Sequence, residues 1–229
     1  MAAAVPLVSQ QHFRYTLTDG QESISDTGWQ PLECPSAGCA VPDLSLLEHT
    51  GTRQGFQTVA GPSHHLSYRH YGLWGQYGQG AVTLGSGTLA LQQDGHTWRG
   101  PFQTVHAWSA GQATGTNPTG TGSATWRGSA EAVSTADLLH LRGTVRLHIP
   151  ELGQPLLDAH INLEGHTVPL QWRQVPIANG SFQQGVAAEH LLHGRFHGPG
   201  HAEAWGLFHT DAFLGAFGAK RHRQAPAAQ

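Results

Sequence analysis

The sequence predicts an all-β protein, a small N-terminal β handle followed by an eight-stranded antiparallel up-and-down barrel. Three observations carry that expectation. Gly (30) and Pro (13) are plentiful while charged residues are only 12%, a mixture that favours short strands and turns over helices. The last hundred residues hold eight strand-length runs of alternating polarity, the number that closes a barrel filled by its own side chains. The final run, 213–221, alternates Phe213, Gly215, Phe217 and Ala219 with Leu214, Ala216, Gly218 and Lys220, a two-residue period. Thr210 and Asp211 are turn residues between it and the run before it.

Taken in order, Val5, Leu7, Phe13, Tyr15 and Leu17 supply one strand, and 18–50 reads as loop. Within that loop Pro42-Asp43 precedes Leu44, Leu46, Leu47 and Glu48, enough for one or two helical turns. The two cysteines, Cys34 and Cys39, are spaced for a local disulfide loop and are too few for a four-ligand zinc site, which points to an oxidising compartment. The opening MAAAVPLVSQ lacks a basic n-region and a full apolar h-region; the expectation is a mature chain whose leader has been replaced by an initiating Met.

From Arg53 to Gly111 the pattern turns to β-type runs: Gly55–Val59, Leu66–Tyr77, Ala81–Leu91, His96–Arg99 and Phe102–Trp108. The segment HHLSYRHYGLWGQYG (64–78) is dense in His and aromatics, with Leu66, Tyr68, His70, Gly72 and Trp74 on one strand face and Arg69, Tyr71 and Leu73 on the other. GQATGTNPTGTGS (111–123) has linker composition, so the handle is expected over 1–113 and the barrel over 114–229. The eight barrel runs are 123–132, 140–149, 156–164, 168–175, 178–184, 189–197, 202–209 and 213–221. In the second, Leu141, Val145 and Leu147 alternate with Arg142, Thr144 and Arg146. Apolar residues therefore face inward and polar ones outward, the reverse of a membrane barrel.

Three segments resemble the barrel domain of the transferrin-binding protein B family of bacterial surface lipoproteins: GSATWRGSAEAV (122–133), HGRFHGPGHAEAWGLF (193–208) and GAFGAKR (215–221). The Phe196-His197-Gly198-Pro199 turn followed by Glu203 matches the family's Phe/Tyr-x-Gly-Pro turn and Glu. YRHYGLWGQYG (68–78) matches only loosely. With one handle and one barrel, the chain is similar to one-lobed, hemophilin-like secreted proteins, exported by surface lipoprotein assembly modulator-type translocons. The resemblance implies a place outside the cell or on the outer-membrane surface of a Gram-negative bacterium after signal removal, an outer-membrane export translocon as partner, and a handle that carries ligand specificity.

His190, His193, His197 and His201 have helical metal-ligand spacing, but Gly194, Gly198, Pro199 and Gly200 forbid the helix, and strand parity turns His193, Arg195 and His197 outward to solvent. No metal site is assigned. Haem needs one or two imidazoles or a tyrosinate, apolar walls and cations for its propionates. The handle offers His64, His65, His70 and His106 as ligands, Tyr68, Tyr71, Trp74 and Tyr77 as walls or ligand, and Arg53 or Arg69 for propionates, although the same aromatics also serve as sheet core. No nucleophile elbow, His-Glu-x-x-His pair or phosphate loop occurs, so no enzyme chemistry is assigned. A formal charge of −3 gives no field for nucleic acid, and no apolar run is long enough to span a bilayer. The expected activity is binding of haem or another planar, apolar small ligand by the handle; the rival is a module that docks a host protein.

Overall fold

In the computed structural model, residues 5–32, 57–58, 65–93, 95–185 and 190–222 are described. The handle comprises β1 (Val5–Thr18), β2 (Ser23–Leu32), β3 (Gln57–Thr58), β4 (His65–Trp74), β5 (Gly78–Gln93) and β6 (His96–Gly111). They form one antiparallel sheet in the order β2-β1-β6-β5-β3, and β4 also pairs with β5. The barrel comprises β7 (Ala124–Ser134), β8 (His140–Ile149), β9 (Leu156–Leu163), β10 (Leu170–Ala178), β11 (Ser181–Gln184), β12 (His190–His197), β13 (Glu203–Thr210) and β14 (Phe213–His222). Each pairs with its sequence neighbours and β14 closes on β7, which makes an eight-stranded up-and-down barrel. The fold is all-β, as the alternation predicts.

The barrel interior is filled by Trp126, Trp172, Phe182, Phe196, Phe208 and Phe217 among smaller apolar side chains. Such a lumen is a core packed by its own side chains. The closing turn is stitched by Thr210, whose Oγ1 accepts the N–H groups of Ala212 and Phe213. A second core, at the far end of the handle, gathers Phe13, Tyr15, Leu17, Leu89, Trp98 and Phe102. A third lies between the two parts: Val82, Leu84, Val105 and Ala107 of the sheet pack on Val133, Leu191, Leu207, Leu214 and Ala216 of the barrel's outer wall. The handle is thus seated flat on β12, β13, β14 and the end of β7.

Several expectations need correction. Ser23–Leu32, read as loop, is strand β2; only Ile24 marks its inner side among residues of described burial, but β2 needs no alternation because ladder bonds to β1 hold it. The runs His96–Arg99 and Phe102–Trp108 are one strand that passes through Gly100-Pro101, and it pairs with β5 without a break. Leu66–Tyr77 ends earlier as a strand, at Trp74, and residues 75–77 turn into β5. His193, Arg195 and His197 do point away from the lumen, but only Arg195 is solvated; His197 is buried and His193 half-buried under the handle side of the wall. The 111–123 segment is no free tether. Gln112 N–H donates to Tyr77 O, Thr114 N–H to Phe196 O, and the Asn117 side chain both donates to Ile177 O and accepts from Gly180 N–H. Cys34, Cys39, His64, Arg53 and the helical turn expected within Val41–Thr50 lie outside the described residues.

Candidate functional site

The two faces of the handle sheet have different work, and β4 shows why. Register places Arg69 opposite Leu84 and Tyr71 opposite Val82, on the face turned to the barrel. Tyr71 stacks flat on His140 of β8, ring centroids 3.6 Å apart, and His140 Nε2 is hydrogen-bonded to Glu131. His70 and Trp74 are on the opposite face. His70 sits opposite Thr83, Thr83 opposite His106, and His106 opposite Gln11, so one row crosses four strands. His70 Nδ1 is 3.0 Å from Thr83 Oγ1. His106 is buried, and neither of its ring nitrogens has a hydrogen-bond partner among the described residues; the same holds for Trp108 Nε1 two residues on. Burial first, and the charge of His70 second, lower the His106 pKa from 6.5 to about 4.

The sequence-predicted set is therefore divided. His70, His106 and Trp74 share a face, while Arg69 and Tyr71 belong to the other. His65 opens β4 opposite Thr88, and His64 falls outside the described residues. The two imidazoles suited to iron stand in one row, but the guanidinium meant for propionates is across the sheet from them. Tyr71 is engaged in fastening the handle to the barrel.

Trp74 is 72% exposed, the most exposed of the large apolar side chains among the described residues. It ends β4, whose one edge pairs with β5 and whose other edge pairs with no described strand. The turn that follows is held rigidly. Glu203 is 2% exposed, and its carboxylate accepts the N–H of Gln76 (2.9 Å) and Tyr77 (3.0 Å) and the indole N–H of Trp205 (2.9 Å). Burial alone would raise its pKa, but these three donors and the charge of Lys220 outweigh it and hold the carboxyl below its ordinary value. Gly75 and Gly78 complete the fit: a Cβ on Gly75 would meet Glu203 Oε2 and the Trp205 ring, and one on Gly78 would lie inside the same indole. The loosely matching 68–78 segment and the Glu203 motif are thus the two halves of one latch.

Beside the latch, at the end of β4, a shallow groove of about 190 Å³ is lined by Leu73 and Trp74 of the handle and by Arg127, Ser129, Trp205 and Lys220 of the barrel wall, among others. Sequence reasoning singled out Trp74 and noted Glu203 but missed Trp205, His140 and Glu131, because their roles depend on which barrel strands the handle covers.

No protein-family model matches the sequence, and no curated protein matches it at a significant level. Among solved structures the chain is similar to a crystal structure described as a surface lipoprotein, at 11% identity and TM-score 0.48 over 93% of this chain and 98% of that one. It is similar to a mutant of transferrin-binding protein B from Actinobacillus pleuropneumoniae H49, at 11% identity and TM-score 0.45 over 93% and 99%. A double mutant of transferrin-binding protein B from Haemophilus parasuis Hp5 is similar at 14% identity and TM-score 0.41 over 69% of this chain, which spans 38% of that protein's length.

Proposed function

We propose that this chain is a surface-displayed or secreted binding module that docks a protein partner through the exposed face of β4 and the edge that pairs with no described strand. The observation that carries this reading is Trp74, a fully presented aromatic on a strand end held rigid by the Glu203 latch and the Tyr71–His140 stack. Rigid, exposed aromatics are the residues that dominate protein interfaces, and an unpaired strand edge offers backbone groups to an incoming chain. Export by an outer-membrane translocon and display on a Gram-negative surface belong to the same proposal, as the sequence resemblance implies. The test immobilises the protein and passes over it purified transferrin, the partner in the names of the similar structures, and then whole host serum. Saturable retention of one protein, weakened about tenfold or more by Trp74→Ala, is the expected result. Retention that Trp74→Ala leaves unchanged overturns the reading.

A second reading, capture of haem or another planar small ligand, is favoured by buried His106, whose ring nitrogens have no hydrogen-bond partner among the described residues, and by the indole of Trp108 beside it on the face of His70. If haem binds, His70 and His106 are its candidate ligands, with Trp108 and Trp74 as walls. Haemin titration that sharpens the Soret band to a saturating stoichiometry and is lost in His106→Ala supports it; a flat titration removes it.

A further inference from the structure

The barrel wall beside Trp74 carries a row of basic residues with no ion-pair partner among the described residues. Lys220 of β14 stands directly opposite Arg127 of β7, Arg127 opposite Arg146 of β8, and Arg146 opposite His160 of β9. All four point outward, because their strand neighbours Ala219, Trp126, Leu147 and Ile161 line the lumen. Lys220, Arg127 and Arg146 are exposed. Like charges directly opposite one another destabilise a sheet, and the arrangement stands out in a chain with 12 Lys+Arg and a net charge of −3.

The carboxylates close enough to serve as counter-ions are turned elsewhere. Glu203, opposite Lys220, feels that charge but forms no ion pair with it, its oxygens being held by the latch donors; Glu131 bonds His140 and reaches Arg142 at 3.8 Å; Asp158 accepts the N–H of Gln174 at 2.9 Å. No carboxylate lies within ion-pair distance of Lys220, Arg127 or Arg146 among the described residues. The row begins at the groove that Leu73, Trp74, Trp205 and Ser129 line, so apolar and cationic surface are continuous.

We infer that this wall binds an extended acidic segment of a protein partner, with an apolar residue of the segment in the Trp74 groove and its carboxylates on the Lys220–Arg127–Arg146 row. The spacing is compatible with that occupant. Strands about 4.8 Å apart spread Lys220 to Arg146 over about 10 Å, and the long side chains of Lys and Arg can splay toward the roughly 13 Å that alternate side chains i, i+2 and i+4 of an extended segment cover on one face. The partner is thus recognised as an apolar residue followed by acidic residues at alternate positions. This rests on the docking reading above, for which it supplies the chemistry of the partner.

The probe is a fluorescein-labelled peptide, Leu-Ser-Glu-Ser-Glu-Ser-Glu, titrated with the full chain and followed by anisotropy. Saturable binding is expected, about tenfold weaker in Arg127→Gln/Arg146→Gln and weaker again as salt rises from about 50 to about 300 mM. The same peptide with Ser in place of Glu should not bind, and Arg173→Gln, an exposed change on β10, should bind as the parent does. No binding, or equal binding by Arg127→Gln/Arg146→Gln, overturns the inference. Tighter binding of phosphatidylglycerol vesicles or a heparin fragment than of the peptide, lost in the same variant, also overturns it and assigns the row to an anionic surface instead. Partner retention lost in Trp74→Ala but kept in Arg127→Gln/Arg146→Gln sinks this inference alone, whereas retention indifferent to Trp74→Ala sinks the docking reading.

Discussion

Two strands of the same barrel, β10 and β13, show how one closed sheet makes two kinds of wall. In β10 burial alternates, with Trp172, Val175 and Ile177 inside and Gln171, Arg173, Gln174 and Pro176 in water. Every residue of β13 is buried. Its inner side chains, Ala204 and Phe208, fill the lumen like those of β10; its outer ones, Trp205 and Leu207, lie under the handle. The lesson is that the barrel's outer surface is specialised by position. One arc is a solvated wall, another is an interface, and the groove with Trp74 opens where the two meet.

The sharpest way to break this contrast is to place a charge on each wall. Leu207→Asp buries an unpaired carboxylate between handle and barrel and should cost about 4 kcal/mol, whereas Gln171→Asp on the solvated wall should stay within about 0.5 kcal/mol. Chemical denaturation of both variants checks it; equal losses would mean that the handle does not cover β13. Glu203→Gln keeps the shape of the latch but faces an amide NH₂ toward donors that need an acceptor. A loss of about 3 kcal/mol is expected, with faster proteolysis in the 75–78 turn than in the barrel. Cleavage unchanged in that turn would show that the handle is held without the latch.

Acid should act next, and more gently at each group. His12, His106, His193 and His197 are each lowered from 6.5 to about 4, with burial the main cause in every case. The neutral imidazole is the form the fold holds, so the unfolded chain takes up protons first as pH falls. The stability these groups contribute is complete above pH 6.5 and is lost as pH falls toward 4, on the order of 2 kcal/mol for each histidine by pH 5. Glu203 acts in a lower window, its contribution being present above its ordinary carboxylate value and lost as pH falls through its depressed one. Thermal melts at pH 7.5, 6.5 and 5.5 read the first window; an unchanged Tm would place these imidazoles in contact with water.

Much of the barrel was legible in the sequence because runs such as β8, β9 and β10 alternate inward apolar with outward polar residues, and local pattern decides such strands. The fourth run begins at Leu170 instead of residue 168, since Val168 is exposed. The handle was harder. β2 carries little apolar signal, and β6 crosses a Gly-Pro pair that local rules read as a break, although Pro101 sits within its pairing to β5 opposite Thr88. Of the candidate site, Trp74, His70 and His106 were visible as residue types, and strand parity already set His70 and Trp74 apart from Arg69 and Tyr71. That Tyr71 is occupied by His140, and that Glu203 holds a turn 126 and 127 positions away in sequence, could not be read from neighbours along the chain.

The sequence by itself determined the strands of the barrel and which of their side chains face the lumen, because a two-residue period needs only local information and one buried face. Only the tertiary structure decided which outward residues meet water. Leu207, Leu214 and Ala216 on the outward face of β13 and β14 are apolar for the sake of a sheet that lies about a hundred residues or more earlier, and the cations of β14, β7 and β8 become a row only when the barrel closes and sets them opposite one another. Lateral register is a property of paired strands, so both the latch at Glu203 and the open row beside Trp74 exist only in the folded chain.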